Sequence, residues 1–146
     1  MSLLLLAGAA LAQATGSITF QIDNVRNARG KVLVAVCPQA KFLKEDCPYN
    51  AEAPARPGTV TVVVPNVPEG DWAAQAFHDE NGNEEVDQGF LGIPKEGVGF
   101  SRDARIGLGP PKWRDAHFIH QGRPGLMRLR LRYMTGPSGP PAPRGR

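Results

Sequence analysis

Apolar and polar residues alternate along several short segments, and this two-residue period restricts the fold more than any other feature of the chain. The alternation is clearest in residues 17–23 (SITFQID) and 126–133 (LMRLRLRY). Successive side chains of a β-strand point to opposite faces, so each segment can bury one face and expose the other. Residues 31–37 (KVLVAVC) are apolar on both faces, which suits a central strand, and the Arg29-Gly30 turn before them predicts a hairpin with the first strand. We therefore expect an all-β protein.

Three further segments have the character of strands, namely residues 59–64, 71–78 and 116–120. In the first of these, the valines at even positions share one face. Residues 38–57 and 79–111 lack a sustained period and are rich in Pro, Gly or acidic residues, so we expect loops there. About seven short strands without a convincing amphipathic helix predict a single antiparallel β-sandwich with long loops at one end.

The two ends of the chain are expected to lie outside this domain, which would span residues 15–134. Residues 1–14 hold an apolar run followed by small-x-small patterns and resemble a secretory signal peptide, although no Lys or Arg precedes the run. Residues 135–146 are mostly Gly, Pro, Ser and Arg and are expected to be a disordered tail. The mature protein is therefore expected in the periplasm or outside the cell, without a membrane span.

The charge of the chain argues against a nucleic-acid partner. The 17 Lys and Arg residues face 14 Asp and Glu residues, and two of the arginines lie in the tail, so the folded part is nearly neutral. Arg128, Arg130 and Arg132 form a basic ladder on one face of the last predicted strand. This ladder is expected to be a solvated outer face, with contact to an anion as the alternative.

The chain has two cysteines, Cys37 and Cys47. In an oxidising compartment such a pair is a candidate disulfide, which would tie the long connection after the second strand back to that strand. Two independent thiols are the alternative. A zinc site is not expected, because nine residues separate the pair and no second Cys or His pair completes a ligand set.

An acidic segment, residues 78–87, is the candidate metal site. Alternating Asp and Asn side chains supply the oxygens that Ca²⁺ needs, and the first positions follow the pattern of an EF-hand loop. Glu84 then replaces the glycine of that loop and Phe90 replaces its last glutamate, so a weak calcium loop on a β scaffold is expected. The alternative is a solvated turn. The expected ligands are Asp79, Asn81, Asn83, Glu85 and Asp87.

The segment after the acidic residues is apolar but is spaced by Gly and Pro rather than by a strand period. It either packs over one end of the sandwich or presents a surface to a partner. The residues expected on such a partner surface are Phe90, Leu91, Ile93 and Phe100. A bound cation would rigidify the acidic segment and so position this surface.

The sequence favours a binding or interaction module, with an unknown protein or cell-envelope partner, over an enzyme. Two alternatives stay open. One is a small-molecule carrier in the periplasm. The other is a hydrolase-type enzyme that uses His78 and Asp79, although no Ser or Cys nucleophile stands in a recognisable motif.

Residues 78–101 (HDENGNEEVDQGFLGIPKEGVGFS), with Phe77 before them and Gly109-Pro110-Pro111 after them, carry a family resemblance. The chain resembles the bacterial family known as domain of unknown function 2141 (DUF2141) over residues 17–133. The resemblance implies an exported, prealbumin-like sandwich of the transthyretin or Cna-B type, and it brings no established activity or catalytic residue. The family usually has Gly at the position of Glu84, and Phe near the position of Trp113.

Overall fold

A computed structural model of the chain describes residues 13–82 and 96–140. The expected signal peptide lies outside these residues except for its last two positions. Short 3₁₀ turns cover Gln39–Lys41 and Ser101–Asp103. In chain order, the strands and the one short helix of the described residues are β1 (Thr15–Val25), β2 (Lys31–Cys37), β3 (Tyr49–Pro54), β4 (Gly58–Pro68), β5 (Gly70–Asp79), β6 (Val98–Phe100), α1 (Trp113–Ala116), β7 (Phe118–His120) and β8 (Gly125–Arg130).

The strands form two sheets in a sandwich-like arrangement, which confirms the expected β architecture. The three-stranded sheet has the order β4-β1-β8. In the five-stranded sheet, β2 lies between β3 and β5, and β6 and β7 both pair with β5. The prediction that residues 31–37 form a central strand is therefore confirmed.

The strand pairing corrects two predictions. β1 and β8 run parallel, with Ile18 opposite Gly125 and Asp23 opposite Arg130, so the sandwich is not entirely antiparallel. β1 and β2 lie in different sheets and do not form a hairpin. The period of two determines which side chains face the core, but it determines neither the direction of a neighbouring strand nor its identity. The turn between β1 and β2 instead carries the chain from one sheet to the other.

The predicted buried faces meet between the two sheets. The valines of β4 that were expected on one face are buried, and so are the alternating apolar residues of β1, β2 and β8. Deletion of such side chains costs about 2–5 kcal/mol each, because the surrounding atoms close the cavity only in part. The core includes Ile18, Phe20, Ile22, Val32, Val34, Val36, Val60, Val62, Val64 and Leu129.

Three segments differ from the predicted pattern. β3 lies in a region expected to be irregular, β6 lies in an expected loop, and α1 takes the first position of the expected strand at 116–120. β3 has an alternation that the sequence analysis missed, with Tyr49, Ala51 and Ala53 on the core side, whereas the three residues of β6 are too few to show a period. Each strand gains its hydrogen bonds from a strand that is already buried. Within the described residues, no helix has the length and apolar character needed to cross a membrane.

A second apolar cluster covers the outer side of the five-stranded sheet and corrects the expectation for Phe100. This side chain is only 7% exposed and packs against Ala73, Ala104 and Ala116, so it belongs to the domain itself and not to a partner surface. The cause is the pairing of β6 with β5, which places Phe100 opposite Gln75 and beneath Phe42, whose ring centroid lies 6.1 Å away.

The predicted disulfide is present between Cys37 and Cys47. Both cysteines are buried, and the bond joins the end of β2 to the connection that leads to β3. Phe42 lies inside the closed loop and contacts Trp113 of α1, with ring centroids 5.8 Å apart. The disulfide therefore holds the loop that covers the second apolar cluster.

Candidate functional site

The acidic segment begins inside the fold. His78 and Asp79 are the last two residues of β5, and both are fully buried. Gly30 has a φ of 67° and lies so close to the backbone carbonyl of Asp79 that a Cβ there would clash. Asn81 is exposed. The other expected calcium ligands (Asn83, Glu85, Asp87) and three residues of the expected partner surface (Phe90, Leu91, Ile93) lie outside the described residues.

Both ring nitrogens of His78 are committed to hydrogen bonds. Nε2 lies 2.7 Å from the carbonyl oxygen of Arg29, which can only accept, so Nε2 carries a proton. The Tyr133 hydroxyl accepts the backbone N–H of Arg26 at 3.0 Å and lies 2.9 Å from Nδ1 of His78. The hydroxyl can donate its own proton to Nδ1, and each of these buried polar groups then has a partner.

The phenol of Tyr133 is held in its protonated form. Burial raises the pKa of Tyr133 to about 12, with a smaller rise from the Glu80 carboxylate, while the bonded backbone N–H and the charge of Arg26 lower it. A side chain at Gly97 would clash with this ring, so the glycine allows the close packing. The Tyr133 hydroxyl is therefore protonated at neutral pH and can donate a hydrogen bond to His78.

Arg26 and Glu80 form an ion pair beside this network. Nε and NH2 of Arg26 each lie 2.6 Å from Oε1 of Glu80, and the two side chains are only 11% and 12% exposed. The guanidinium carbon lies 4.4 Å from the centroid of the Tyr133 ring, within the range of a cation–π contact. The negative charge of Glu80, the first glutamate of the acidic segment, is thereby neutralised by Arg26 in the turn between β1 and β2.

The two ends of the acidic loop meet. The backbone N–H of His78 donates to the carbonyl oxygen of Gly97 at 2.8 Å, and that of Glu80 donates to Oε2 of Glu96 at 3.0 Å. Glu96 is 4% exposed and Asp79 is fully buried. Two buried carboxylates therefore lie at the base of the loop, one at each end.

Residues 135–140 of the tail lie against the same end of the sandwich. NH1 of Arg26 donates to the carbonyl oxygens of Thr135 at 2.6 Å and Pro137 at 3.2 Å. Nδ2 of Asn24 donates to the carbonyl oxygen of Ser138 at 2.6 Å. Residues 135–140 therefore run along this end of the sandwich. The disorder expected for residues 135–146 stays a prediction.

A cleft of about 700 Å³ opens between the β1–β2 turn and the tail. We call it the arginine cleft. Most of its lining residues are polar or charged in type, and residues 137–140 of the tail also line it. The side chains that line it from the sandwich are Asn24, Arg26, Asn27, Arg29, Glu80 and Arg130.

A comparison with protein-family models matches residues 20–125 to the family described as an uncharacterized protein conserved in bacteria. The chain belongs to the DUF2141 family. No match was found among curated proteins or among solved structures. The family resemblance of residues 78–101 is thus confirmed, while the prealbumin-like assignment within the β-sandwiches stays a prediction.

The DUF2141 match contains Arg26, His78 and Glu80 but ends before Arg130 and Tyr133, so the last members of the site lie beyond it. Sequence reasoning singled out His78 and missed Arg26 and Tyr133 as its neighbours. Tyr133 carried only the signal of an apolar strand position, and Arg26 only that of a polar turn. Arg26 and Tyr133 are 107 residues apart, so no local pattern could have joined them.

The geometry does not favour the hydrolase-type alternative for this DUF2141 domain. A general base needs a free nitrogen or oxygen within reach of a substrate, whereas His78 and Asp79 are both fully buried and both nitrogens of His78 are already bonded. Among the described residues, no group of three or more His, Cys, Asp or Glu side chains could hold a metal ion. The calcium site stays a prediction.

Replacing Tyr133 with Phe is expected to destabilise the domain by about 2 kcal/mol, because Nδ1 of His78 and the N–H of Arg26 would both lose a buried partner. Urea denaturation with intrinsic fluorescence measures this loss. Tyr49→Phe is the matched control, because the Tyr49 hydroxyl makes no hydrogen bond among those of the described residues and its ring contacts Trp72 edge-on. Equal losses for the two variants would contradict the network.

Proposed function

We propose that this DUF2141 protein is an exported binding module whose acidic segment binds a calcium ion weakly. The closed base of the acidic loop carries the proposal. It brings the two ends of the loop together at Glu80 and Glu96, and it places the buried carboxylates of Asp79 and Glu96 at the ends of the stretch that carries the other acidic residues. Ca²⁺ takes six to eight oxygen ligands from a chain that can curl around it, which suits a loop of this composition.

Charge supports the same proposal. Glu80 is neutralised by Arg26, so its charge does not need a cation. Four further carboxylates lie close together in sequence, those of Asp79, Glu84, Glu85 and Asp87. Confinement of like charges in a closed loop is unfavourable, and a divalent ion would relieve it.

The disulfide and the apolar N-terminal run support export. Disulfides persist in oxidising compartments such as the periplasm and the extracellular space, and they are rare in the cytosol. The bond between Cys37 and Cys47 is therefore consistent with the signal-peptide pattern of residues 1–14. Phe90, Leu91 and Ile93 remain the proposed partner surface, which calcium would position.

Calcium is expected to raise the melting temperature of the protein. At a calcium concentration about ten times a dissociation constant of about 10⁻⁴–10⁻³ M, linkage stabilises the folded state by about 1.4 kcal/mol, or about 5 °C for a domain of this size. The double variant Glu85→Gln/Asp87→Asn should lose this shift. Glu45→Gln, which changes an exposed glutamate elsewhere, should keep it. A wild-type melt that does not move at about 10 mM Ca²⁺ would reject the proposal.

The carrier alternative is favoured only for a polar ligand, and not for an apolar one. A carrier of apolar molecules needs an enclosed apolar pocket. The arginine cleft is instead open and lined by Arg, Asn and Glu side chains. Its chemistry suits a polar ligand, and no catalytic step is proposed for it.

A further inference from the structure

We propose that the arginine cleft is a second binding site, which takes a small anion with carboxylate or phosphate groups. The site adjoins the acidic loop at Glu80, but its proposed ligand contacts are arginines and it does not depend on calcium. Its volume of about 700 Å³ lies within the range of small-molecule sites. Among the described residues, Arg29 and Arg130 supply its unpaired positive charges, whereas Arg26 is paired with Glu80, which also lines the cleft.

The side chains that line the cleft carry an excess of positive charge. Three arginines and one glutamate contribute to it, and the glutamate is already paired with Arg26. Arg29 and Arg130 are both exposed, and neither forms an ion pair within residues 13–82 and 96–140. Guanidinium groups bind carboxylate and phosphate oxygens through two parallel N–H bonds, so two such groups on one cleft favour an anion.

The carboxylate of Asp23, beside Arg130 in the sheet, is engaged by other side chains. Asp23, its neighbour across the β1–β8 pair, accepts hydrogen bonds from Arg128 at 2.6 and 3.1 Å and from the Thr59 hydroxyl at 2.7 Å. Hydrogen bonding to Arg128 is the main cause that lowers the pKa of Asp23, and Arg130 adds only a charge effect. Within the described residues, the guanidinium of Arg130 therefore has no ion-pair partner, and we expect it to be available to a ligand.

The tail shows what kind of atom the cleft accepts. Within the described part of the tail, the groups that accept hydrogen bonds from Arg26 and Asn24 include the carbonyl oxygens of Thr135, Pro137 and Ser138. These are neutral acceptors on donors that bind anionic oxygens more strongly. An anionic ligand would meet two arginines at the rim that form no ion pair within the described residues, and it would gain donors from Arg26 and Asn24 by displacing these tail carbonyls.

Isothermal titration of the full chain with phosphate, and separately with citrate, tests the proposal in calcium-free buffer at constant ionic strength. We expect the wild-type protein to bind at least one of the two anions, and the anion that binds identifies the chemical class. The double variant Arg29→Gln/Arg130→Gln should lower the affinity by about tenfold or more, because each charged hydrogen bond contributes about that much. Both substitutions are on exposed side chains, so folding should be unaffected.

Arg105→Gln is the matched control. Arg105 is an exposed arginine that does not line the cleft, so its loss should leave the affinity unchanged. Two results would overturn the proposal: no binding of either anion by the wild-type protein, or an equal loss of affinity in the double variant and the control. If calcium does not shift the melting temperature, the calcium proposal fails but the expected anion binding is unchanged. The failure of one proposal is therefore distinguishable from the failure of the other.

Discussion

Substitution of Arg26 by methionine is expected to lower the free energy of unfolding by about 3 kcal/mol, because it leaves the carboxylate of Glu80 poorly solvated and without its cation. Arg26 and Glu80 are 11% and 12% exposed, so water cannot replace the lost partner efficiently. The guanidinium also covers the Tyr133 ring and holds the carbonyl oxygens of Thr135 and Pro137. Urea denaturation at neutral pH measures the loss.

The exposed pair of Arg128 and Asp23 supplies the control for this experiment. Its side chains are 63% and 26% exposed, so Arg128→Met should cost much less than Arg26→Met. The double variant Arg26→Met/Glu80→Met should recover part of the stability, since no unpaired carboxylate remains. If Arg26→Met and Arg128→Met lose equal stability, or if the double variant is less stable than Arg26→Met, the pair is not the cause.

Removal of the disulfide by Cys37→Ala/Cys47→Ala is expected to cost about 2–3 kcal/mol, because the unfolded chain regains the freedom of a short closed loop. The two cysteines are only ten positions apart, which limits the effect. Phe42 lies within the loop, and its contacts with Phe100 and Trp113 should loosen first. Thermal melting measures the loss of stability, and hydrogen exchange of the backbone amides around Phe42 measures the loosening.

Reduction of the wild-type protein provides an independent check of the disulfide. A thiol reductant should bring the melting temperature of the wild-type protein close to that of the double alanine variant. The same reductant should leave the variant unchanged. An unaltered melt of fully reduced wild-type protein would show that the bond adds nothing to the stability of the sandwich.

Much of the fold was predictable because strand geometry is local. Alternation in residues 17–23 and 59–64 determines which side chains face the core, whatever strand lies beside them. β3 carries the same alternation over Tyr49–Pro54, which the surrounding prolines obscured. β6 has only three residues and could not be predicted in this way, because it becomes a strand by pairing with the backbone of β5.

The candidate site was less predictable than the fold. The acidic composition of residues 79–87 was visible in the sequence, and so was the position of His78. The buried state of His78 and Asp79, and the closure of the loop by Glu96 and Gly97, follow from packing at the end of β5. Composition alone could not separate a solvated turn from a loop with a buried base.

The amino-acid sequence by itself determined the β class, the inward faces of the main strands, the family and the cysteine pair, because each depends on residue type or on short separations along the chain. Only the tertiary structure decided the parallel pairing of β1 with β8 and the meeting of Arg26, His78 and Tyr133. These contacts join residues that are 55 to 107 positions apart. The path of the chain between such residues is set by how the whole core packs, which no local period encodes.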